Sequence, residues 1–422
     1  MKISNEQLIK IIGFWHETVN FENLFTRPIL ETINIKGKEI IDLVGPRRSG
    51  KSSVLKLIIK NLNSNFLYIN FEDPFFITYN NPEIIEEIIS VFKEYFNPDL
   101  KYIFFDEIHE IKYWEKAIRK LRDGTKYKIF ITGSSSKLLS GEISSLITGR
   151  HLSYRILPLS YEEFLIFKKI KLKEKKDITL KDKKLLKEFD EYLKIGGFPE
   201  VVLTNNQELL KNYFYDIIQK DIIMRYEIRE KNILEKMAVY LLTNSGKIIS
   251  RESLKEAFKL SFVAVDSYLE YLKDAFLIFE LPQFSYSLKR QNKAFKKIYS
   301  VDTGLTNSVS FKFSEDIGRA LENIVFLELK KKEYELFYYK TKDNLEIDFL
   351  IKERTKITNL IQVCWNLEEE KTKEREIKGL INAMNELNLS HSLILTYNDE
   401  EEIKINEKLI IIKPVYKWLL MK

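Results

Sequence analysis

The hydrophobic residues of the first 160 positions fall into short continuous runs. Runs with the length of buried strands occupy 39–44, 66–71, 101–108 and 127–132, and a fifth run, of mixed polarity, has a strand pattern over 151–156. Between the first two runs, apolar positions recur with helical spacing over 53–59. Strands that alternate with helices predict a parallel sheet with right-handed crossovers. This part of the chain is therefore predicted to be an α/β domain.

A glycine-rich segment joins the first run to the following helix and contains the G-x-x-x-x-G-K-S pattern of phosphate-binding loops. Its glycines allow a tight turn of backbone N–H groups, its lysine reaches the β- and γ-phosphates, and the serine directly after the lysine ligates Mg²⁺. A chance glycine-rich turn is the alternative, which the flanking strand and helix disfavour. We predict that ATP binds here with Mg²⁺, through Gly45, Pro46, Arg47, Arg48, Ser49, Gly50, Lys51, Ser52 and Ser53.

Two acids, Asp106 and Glu107, lie at the end of the third run. The carboxyl ends of parallel strands form the ligand-binding edge of an open sheet. We predict that Asp106 holds Mg²⁺ together with Ser52, and that Glu107 orients or deprotonates the attacking water. A solvated loop start is the alternative for such a pair. His109 is interpreted as structural or solvent-facing.

Small polar residues end the fourth run, and Ser134 is predicted to sense the γ-phosphate or to position the attacking water. Thr132 and Ser135 compete for this role, and a helix cap is the alternative. Arg150, before the fifth run, is predicted to stabilise charge on the γ-phosphate, within its own chain or across a subunit boundary. A structural salt bridge is the alternative for Arg150. A role of Arg150 across a subunit boundary would require the protein to form an oligomer.

Composition changes this picture little. Among 422 residues, 68 basic and 62 acidic ones leave a formal charge of +6, so a nucleic-acid partner would need a local basic patch. The single cysteine excludes a disulfide framework within the chain. No secretory signal and no apolar run of bilayer length is visible. We expect a cytoplasmic protein without a membrane partner.

The middle of the chain predicts a winged helix, with helices at 233–242, 250–258 and 261–273 and strands at 277–281 and 295–299. The stretch that leads from the first strand into the second is basic and lacks an acid. It contains Lys289, Arg290, Lys293, Lys296 and Lys297. We predict that Lys289, Arg290, Lys293 and Lys296 contact the phosphates of DNA or RNA. Acids on the third helix would repel DNA, so a spacer or a protein-binding unit is the alternative.

The last 120 residues predict a second α/β unit. A helix carries Glu322, a strand carries Asp348, and another strand covers Leu360–Trp365. This layout suits a Mg²⁺-dependent nuclease centre.

Four segments together resemble AAA+-type ATPases of archaea and bacteria: the phosphate-binding loop, Phe105–Ile108, Thr132–Ser135 and Gly149-Arg150. The likeness extends to predicted ATP-binding proteins in which this module is fused to a C-terminal domain. The recurring pieces of that domain are similar to Gly196–Pro199, Val301–Leu305, Leu321–Asn323 and Glu346–Asp348.

The resemblance implies a winged helix followed by a PD-(D/E)XK nuclease-like fold. The Glu-x-Lys of that fold is here Gln362-Val363-Cys364, which lacks both the carboxylate and the lysine. We therefore predict a nuclease-like fold without nuclease activity.

The predicted fold class is α/β, with a P-loop NTPase parallel sheet that has helices on both faces, then a helical lid, a winged helix and a second α/β nuclease-like domain. The predicted bounds are 1–35 for an N-terminal lead-in, 36–160 for the ATPase core, 161–230 for the lid, 231–300 for the winged helix and 301–422 for the nuclease-like domain. The predicted function is hydrolysis of ATP with Mg²⁺, coupled to nucleic-acid association. The alternative is an ATP-regulated signalling switch that binds a protein partner.

Overall fold

The computed structural model describes residues 3–19, 21–22, 24–124, 126–135, 150–172, 174, 176–310 and 317–421. The chain divides into two compact units. The first comprises residues 1–157 with 274–276, and the second comprises residues 158–273 with 277–422. None of the helices in the described ranges has the length and apolar character needed to cross a bilayer.

The first unit is built on a parallel sheet of five strands in the order β2-β3-β4-β1-β5. The strands are β1 (Ile40–Val44), β2 (Phe66–Asn70), β3 (Tyr102–Asp106), β4 (Lys128–Gly133) and β5 (His151–Arg155). The parallel α/β sheet predicted from the apolar runs is confirmed. In this order β4 lies between β1 and β3, which are far apart along the chain.

Helices of the first unit cover the sheet through regularly spaced apolar residues. Their bounds are Asn5–Glu17, Lys51–Leu62, Phe75–Thr78, Glu83–Tyr95 and Trp114–Gly124. The helix after β1 buries Val54, Leu55, Ile58 and Ile59, a spacing of three and four that places them on one face. These residues share a core with Phe104 and Phe130, whose rings stack with centroids 4.6 Å apart.

The second unit contains helices and two sheets. Its strands are β6 (Ile248–Ile249), β7 (Ile278–Leu281), β8 (Lys296–Ser300), β9 (Glu335–Lys340), β10 (Glu346–Glu353), β11 (Lys356–Val363), β12 (His391–Thr396), β13 (Glu401–Ile405) and β14 (Lys408–Pro414). Its first helices are Tyr161–Phe167, Lys176–Leu180, Asp182–Ile195, Pro199–Thr204 and Glu208–Asp216, followed by a π-helical segment at Ile217–Met224. The later helices are Lys231–Thr243, Arg251–Phe258, Phe262–Asp274, Leu288–Lys293, Thr303–Val309, Ile317–Lys331, Glu370–Glu386 and Val415–Leu420.

A small antiparallel sheet has the order β6-β8-β7, and a larger mixed sheet has the order β13-β14-β12-β11-β10-β9. The helix between β11 and β12 is the crossover that their parallel pairing requires. It buries Leu380, Ala383 and Met384 in one cluster with Leu350 and Leu360 of the larger sheet. A second α/β unit, expected from the strand patterns, is thus present as a separate sheet domain.

Two glycine-containing segments of the second unit pack directly on each other. Gly196 has a φ of 71°, and a Cβ on it would lie 2.1 Å from Asp302 Oδ1. Gly197 N donates to Asp302 Oδ2 at 2.7 Å across 105 positions of sequence. Asp302 also caps the helix Thr303–Val309 by accepting from Leu305 N at 2.8 Å. One carboxylate therefore joins two motifs that the sequence shows only as separate pieces.

A buried acid lies in the middle of the first unit. Asp42, on β1, is 1% exposed and accepts a hydrogen bond from Ser153 Oγ at 3.0 Å. His151 Nδ1 lies 3.9 Å from the same oxygen. Asp42 Oδ1 has no hydrogen-bond partner within the described part of the chain. Burial raises the pKa of Asp42 to about 7, because the charged form loses its hydration.

The substitution Asp42→Asn should stabilise the protein at pH 8 and change little at pH 4. The folded-state pKa of about 7 lies above the value of about 4 for an unfolded chain. The folded protein therefore binds more protons between these values, and its stability falls as the pH rises from about 4 to about 7. The loss of unfolding free energy at high pH that Asp42→Asn removes is at most about 4 kcal/mol.

Urea unfolding at both pH values measures this difference. Asp99→Asn, at an exposed position of the same unit, is the matched control and should leave the pH profile unchanged. Equal effects of Asp42→Asn at pH 4 and pH 8 would contradict the prediction.

Candidate nucleotide-binding site

The loop that follows β1 depends on two glycines. Gly50 caps the helix Lys51–Leu62 with a φ of 95°, in the left-handed region that side chains disfavour. A Cβ on Gly45 would lie 2.0 Å from the carbonyl oxygen of Ile156. The turn therefore needs glycine at both positions, for conformation at one and for close packing at the other.

Lys51 lies inside this loop and is 4% exposed. Its Nζ donates to the carbonyl oxygens of Gly45 at 3.2 Å and Pro46 at 3.3 Å. The same Nζ lies 3.2 Å from Glu107 Oε1. The structure thus brings the lysine of the loop next to one of the acids that follow β3.

The other loop residues differ in exposure. Ser49 is buried and Ser53 is exposed, while Arg48 adopts a φ of 67°. Arg47 Nη1 lies 2.5 Å from Glu72 Oε1.

Asp106 ends β3 and is fully buried. Its carboxylate accepts hydrogen bonds from Tyr68 Oη at 2.8 Å and from Thr132 Oγ1, and the Ser52 hydroxyl lies near it. Burial, followed by the nearby charge of Glu107, raises the pKa of Asp106, and the three hydroxyls act against this rise. The predicted pair of metal ligands, Ser52 and Asp106, therefore lies close together.

Glu107 has a left-handed backbone, with φ 50° and ψ 45°. Its N–H donates to Thr132 Oγ1 at 2.8 Å, which fixes the turn after β3. Its Oε2 lies 3.3 Å from His109 Nδ1 but makes no hydrogen bond within the described ranges. A buried carboxylate oxygen is thus left available beside the lysine. His109, interpreted as structural or solvent-facing, lies against the predicted base.

Ser134 and Ser135 follow β4 and are buried. Because β4 lies between β1 and β3, its carboxyl end lies between the loop and the two acids. Thr132, a competing candidate, is committed to the acids through its bonds to Asp106 and Glu107. The helix that Ser134–Ser136 were considered to cap lies outside the described residues. The role of Ser134 stays a prediction.

Arg150 lies at the amino-terminal end of the strands, whereas the loop lies at their carboxyl-terminal end. Its carbonyl oxygen accepts from Ile40 N at 2.8 Å, at the first residue of β1. The five residues of β1 separate this end of the strands from the loop by roughly 13 Å. Its Nε lies 3.6 Å from Asp123 Oδ1, as in the structural salt bridge that was its alternative. Within one chain, the structure does not bring Arg150 to the loop.

Two residues that sequence reasoning did not select support the site. Arg27 is 5% exposed, and its guanidinium donates to the carbonyl oxygens of Ser49 and Leu157, each at 3.0 Å. Tyr68 holds Asp106 from the neighbouring strand. No local pattern marks either residue, since each acts through a partner that is distant in sequence.

Comparisons with known proteins agree with this arrangement. The AAA domain family matches residues 37–165. Two families described as domains of unknown function, DUF8612 and DUF4143, match residues 186–316 and 317–418.

Two relatives extend over most of the chain. An uncharacterized protein of Methanocaldococcus jannaschii is 41% identical over 398 residues, which cover 90% of this chain and 87% of that protein. An uncharacterized protein of Haemophilus influenzae is 30% identical over 354 residues, 80% of this chain and 86% of its own. Among solved structures, the Aeropyrum pernix ORC1 protein in complex with DNA has a TM-score of 0.32 at 10% identity, over 72% of this chain and 90% of its own.

The strand order, the phosphate-binding loop and the acids after β3 define a P-loop ATPase domain of the AAA type. The chain belongs to one family with the proteins of M. jannaschii and H. influenzae, because the similarity covers most of both relatives.

The substitution Arg27→Met should weaken nucleotide binding about tenfold and destabilise the protein by about 2 kcal/mol, because two buried carbonyl oxygens lose their donors. Titration with a fluorescent ATP analogue and urea unfolding measure the two effects. Arg119→Met removes an arginine whose side chain is 47% exposed and should change neither quantity. Unaltered affinity in a stable Arg27→Met protein would show that Arg27 does not support the loop.

Proposed function

We propose that residues 37–165 bind ATP with Mg²⁺ and hydrolyse it. The observation that carries this proposal is the approach of the loop lysine to one of the acids after β3, with Lys51 Nζ 3.2 Å from Glu107 Oε1. The Ser52 hydroxyl and the buried carboxylate of Asp106 lie near each other beside this pair. Hydroxyl and carboxylate oxygens suit Mg²⁺, and two adjacent buried carboxylates, Asp106 and Glu107, are better tolerated with a cation nearby. The residues present therefore fit the metal, which would neutralise charge on the phosphates.

Lys51 and Glu107 have complementary tasks in this proposal. Lys51 is held by two loop carbonyls and would place its ammonium on the β- and γ-phosphates. Glu107 keeps one buried oxygen without a hydrogen bond in the described ranges, and this oxygen would orient or accept a proton from the attacking water. Ser134, at the edge between them, would contact the γ-phosphate or that water.

Arg150 has a different status, because roughly 13 Å of strand separates it from the loop of its own chain. A role in stabilising charge on the γ-phosphate would require Arg150 from another subunit. Such a role therefore goes together with an oligomer.

The substitution Glu107→Gln should keep ATP binding and lower turnover by about 10²- to 10⁴-fold, because the amide cannot accept the proton. Lys51→Ala should abolish binding and serves as the reference for an empty site. Binding by calorimetry and phosphate release are the two measurements. Glu94→Gln, an exposed acid on the helix Glu83–Tyr95, is the control that should retain both. Turnover by Glu107→Gln near the unsubstituted rate would remove Glu107 as the base.

We propose further that residues 231–300 form a winged helix that associates with nucleic acid. The order of one helix, β6, two helices and the β7–β8 pair supports this, as does the antiparallel sheet β6-β8-β7. The connection between β7 and β8 corresponds to the wing. Lys289, Arg290 and Lys293 lie there with exposed side chains.

Two details limit how this unit would bind. Lys296 Nζ lies 2.7 Å from Glu280 Oε2, so this member of the predicted basic set is already paired. On the helix Phe262–Asp274, Asp266 is paired with Arg251. The proposed contact is therefore with phosphates, through the wing, and does not depend on base sequence.

A protein partner is the second candidate, and exposed apolar residues favour it. Phe262, Val263 and Phe295 are 46%, 76% and 58% exposed, and Phe262 and Phe295 line one small cavity. Exposed apolar groups of this kind are commonly covered by protein. In this alternative ATP would regulate contact with the partner.

Simultaneous replacement of Lys289, Arg290 and Lys293 by Ala should weaken binding to DNA or RNA and reduce its salt dependence. Each lost phosphate contact lowers the slope of log K against log salt by about 0.9 on duplex DNA, so the expected change is up to about 2.7. Anisotropy titrations at several salt concentrations measure it, alongside ATP turnover with duplex DNA, single-stranded DNA and RNA.

The matched control replaces Lys183, Lys184 and Lys187, three exposed lysines on the helix Asp182–Ile195. It removes the same charge elsewhere and should leave the slope unchanged. Equal losses in both triple variants would point to net charge alone. Salt-insensitive capture of a protein, without nucleic-acid binding, would favour the signalling switch.

A further inference from the structure

An acidic centre in the second unit surrounds one lysine. Lys297, on β8, has a side chain that is 2% exposed. Its Nζ lies 3.0 Å from Glu322 Oε1, 2.8 Å from Glu346 Oε1 and 2.8 Å from Asp348 Oδ1. Glu322 belongs to the helix Ile317–Lys331 and the other two acids to β10. Three carboxylates from two elements thus converge on an ammonium from a third.

This lysine corrects one part of the sequence interpretation. The position of the expected Glu-x-Lys is Gln362-Val363-Cys364, from which we predicted a centre without lysine. The structure supplies a lysine from the smaller sheet. Gln362 instead uses its Oε1 to accept from Asp348 N at 3.2 Å.

Two of these carboxylates accept further hydrogen bonds. Tyr299 Oη donates to Glu322 Oε1 at 2.6 Å, and Val363 N donates to Asp348 Oδ2 at 2.9 Å. The ammonium donates hydrogen bonds to Glu322 Oε1 and Asp348 Oδ1, and it forms an ion pair with Glu346. The hydrogen bonds of the buried charge are therefore satisfied by protein groups, as a buried ion requires.

We propose that the ammonium of Lys297 is the resident cation of this centre and occupies the place that a divalent metal ion would take between Glu322 and Asp348. The lysine then closes the centre to metal and ties β8 to the helix Ile317–Lys331 and to β10. Burial also raises the pKa of Glu322 to about 7, so the remaining negative charge is reduced near neutral pH.

A consequence follows for the chemistry of this domain. Metal-dependent cleavage of a phosphodiester needs a bound ion to activate water and to stabilise the leaving group. With the ammonium in that place, the domain would not act as a nuclease. Its inactivity would then come from an occupied centre rather than from a missing lysine.

Titration of the nucleotide-free full-length protein with Mn²⁺ tests the proposal. The unsubstituted protein should show no Mn²⁺ site that depends on Asp348. Lys297→Met should gain one site, at least about tenfold tighter than any in the unsubstituted protein, because the carboxylates are freed for a hard cation. Adding Asp348→Asn to Lys297→Met should remove that site. The phosphate-binding loop is identical in all of these proteins, so it cannot produce the difference.

Thermal unfolding gives a second measurement. Lys297→Met should unfold at a lower temperature than the unsubstituted protein, and Mn²⁺ should restore part of the loss unless Asp348→Asn is also present. One Mn²⁺ bound by the unsubstituted protein and lost in Asp348→Asn would overturn the proposal. So would Mn²⁺-dependent DNA cleavage that Asp348→Ala abolishes, or a folded Lys297→Met protein that gains no site.

A milder variant covers the case in which Lys297→Met does not fold. Lys297→Gln keeps the length and polarity of the side chain and should gain the same site. If neither variant folds with or without Mn²⁺, the comparison of the unsubstituted protein with Asp348→Asn decides: a metal site that depends on Asp348 refutes the proposal, and its absence upholds it.

Discussion

The buried carboxylate of Asp106 is the group on which the nucleotide site depends. A charged group without exposure to water must be compensated by hydrogen bonds; two hydroxyls donate them to Asp106, and a third hydroxyl lies near its carboxylate. Tyr68 comes from β2, Thr132 from β4 and Ser52 from the helix after the loop. Each of these elements is therefore held in position by the same acid. Thr132 extends the arrangement, because its hydroxyl also accepts from the N–H of Glu107.

The acids of the two units are satisfied in different ways. In the first unit, Glu107 keeps an oxygen without a hydrogen bond in the described ranges, next to a lysine that rests on loop carbonyls. In the second unit, the lysine at the centre of three acids forms an ion pair with each of them. The first arrangement leaves capacity for a ligand, whereas the second is complete within the protein. This contrast is the physical basis for proposing ATP turnover at the centre of the first unit. It is also the basis for proposing a closed, stabilising role for the centre of the second unit.

Much of the first unit could be predicted from sequence because its elements are specified locally. The apolar runs that became β1, β3 and β4 are buried on both faces, so they need no partner pattern to be recognised. The loop from Gly45 to Lys51 is continuous in sequence, and its glycines are required by the backbone around them. Ser52 and Asp106 could be predicted to lie at the same end of the strands, because both positions follow from the direction of parallel strands. Arg27 and Tyr68 were missed, since their partners lie elsewhere in the chain.

The sequence by itself determined the parallel α/β fold of the ATPase domain, the phosphate-binding loop and the acids at the end of β3, because each is written in a short continuous segment. Only the tertiary structure decided which side chains from distant segments meet. The tertiary structure placed Arg150 at the end of the strands that is remote from the loop, because Arg150 directly precedes β5 and β5 runs parallel to β1. It also brought Lys297 from one sheet to acids that lie beside another. Buried charges require partners wherever the fold supplies them, and no local pattern records where those partners come from.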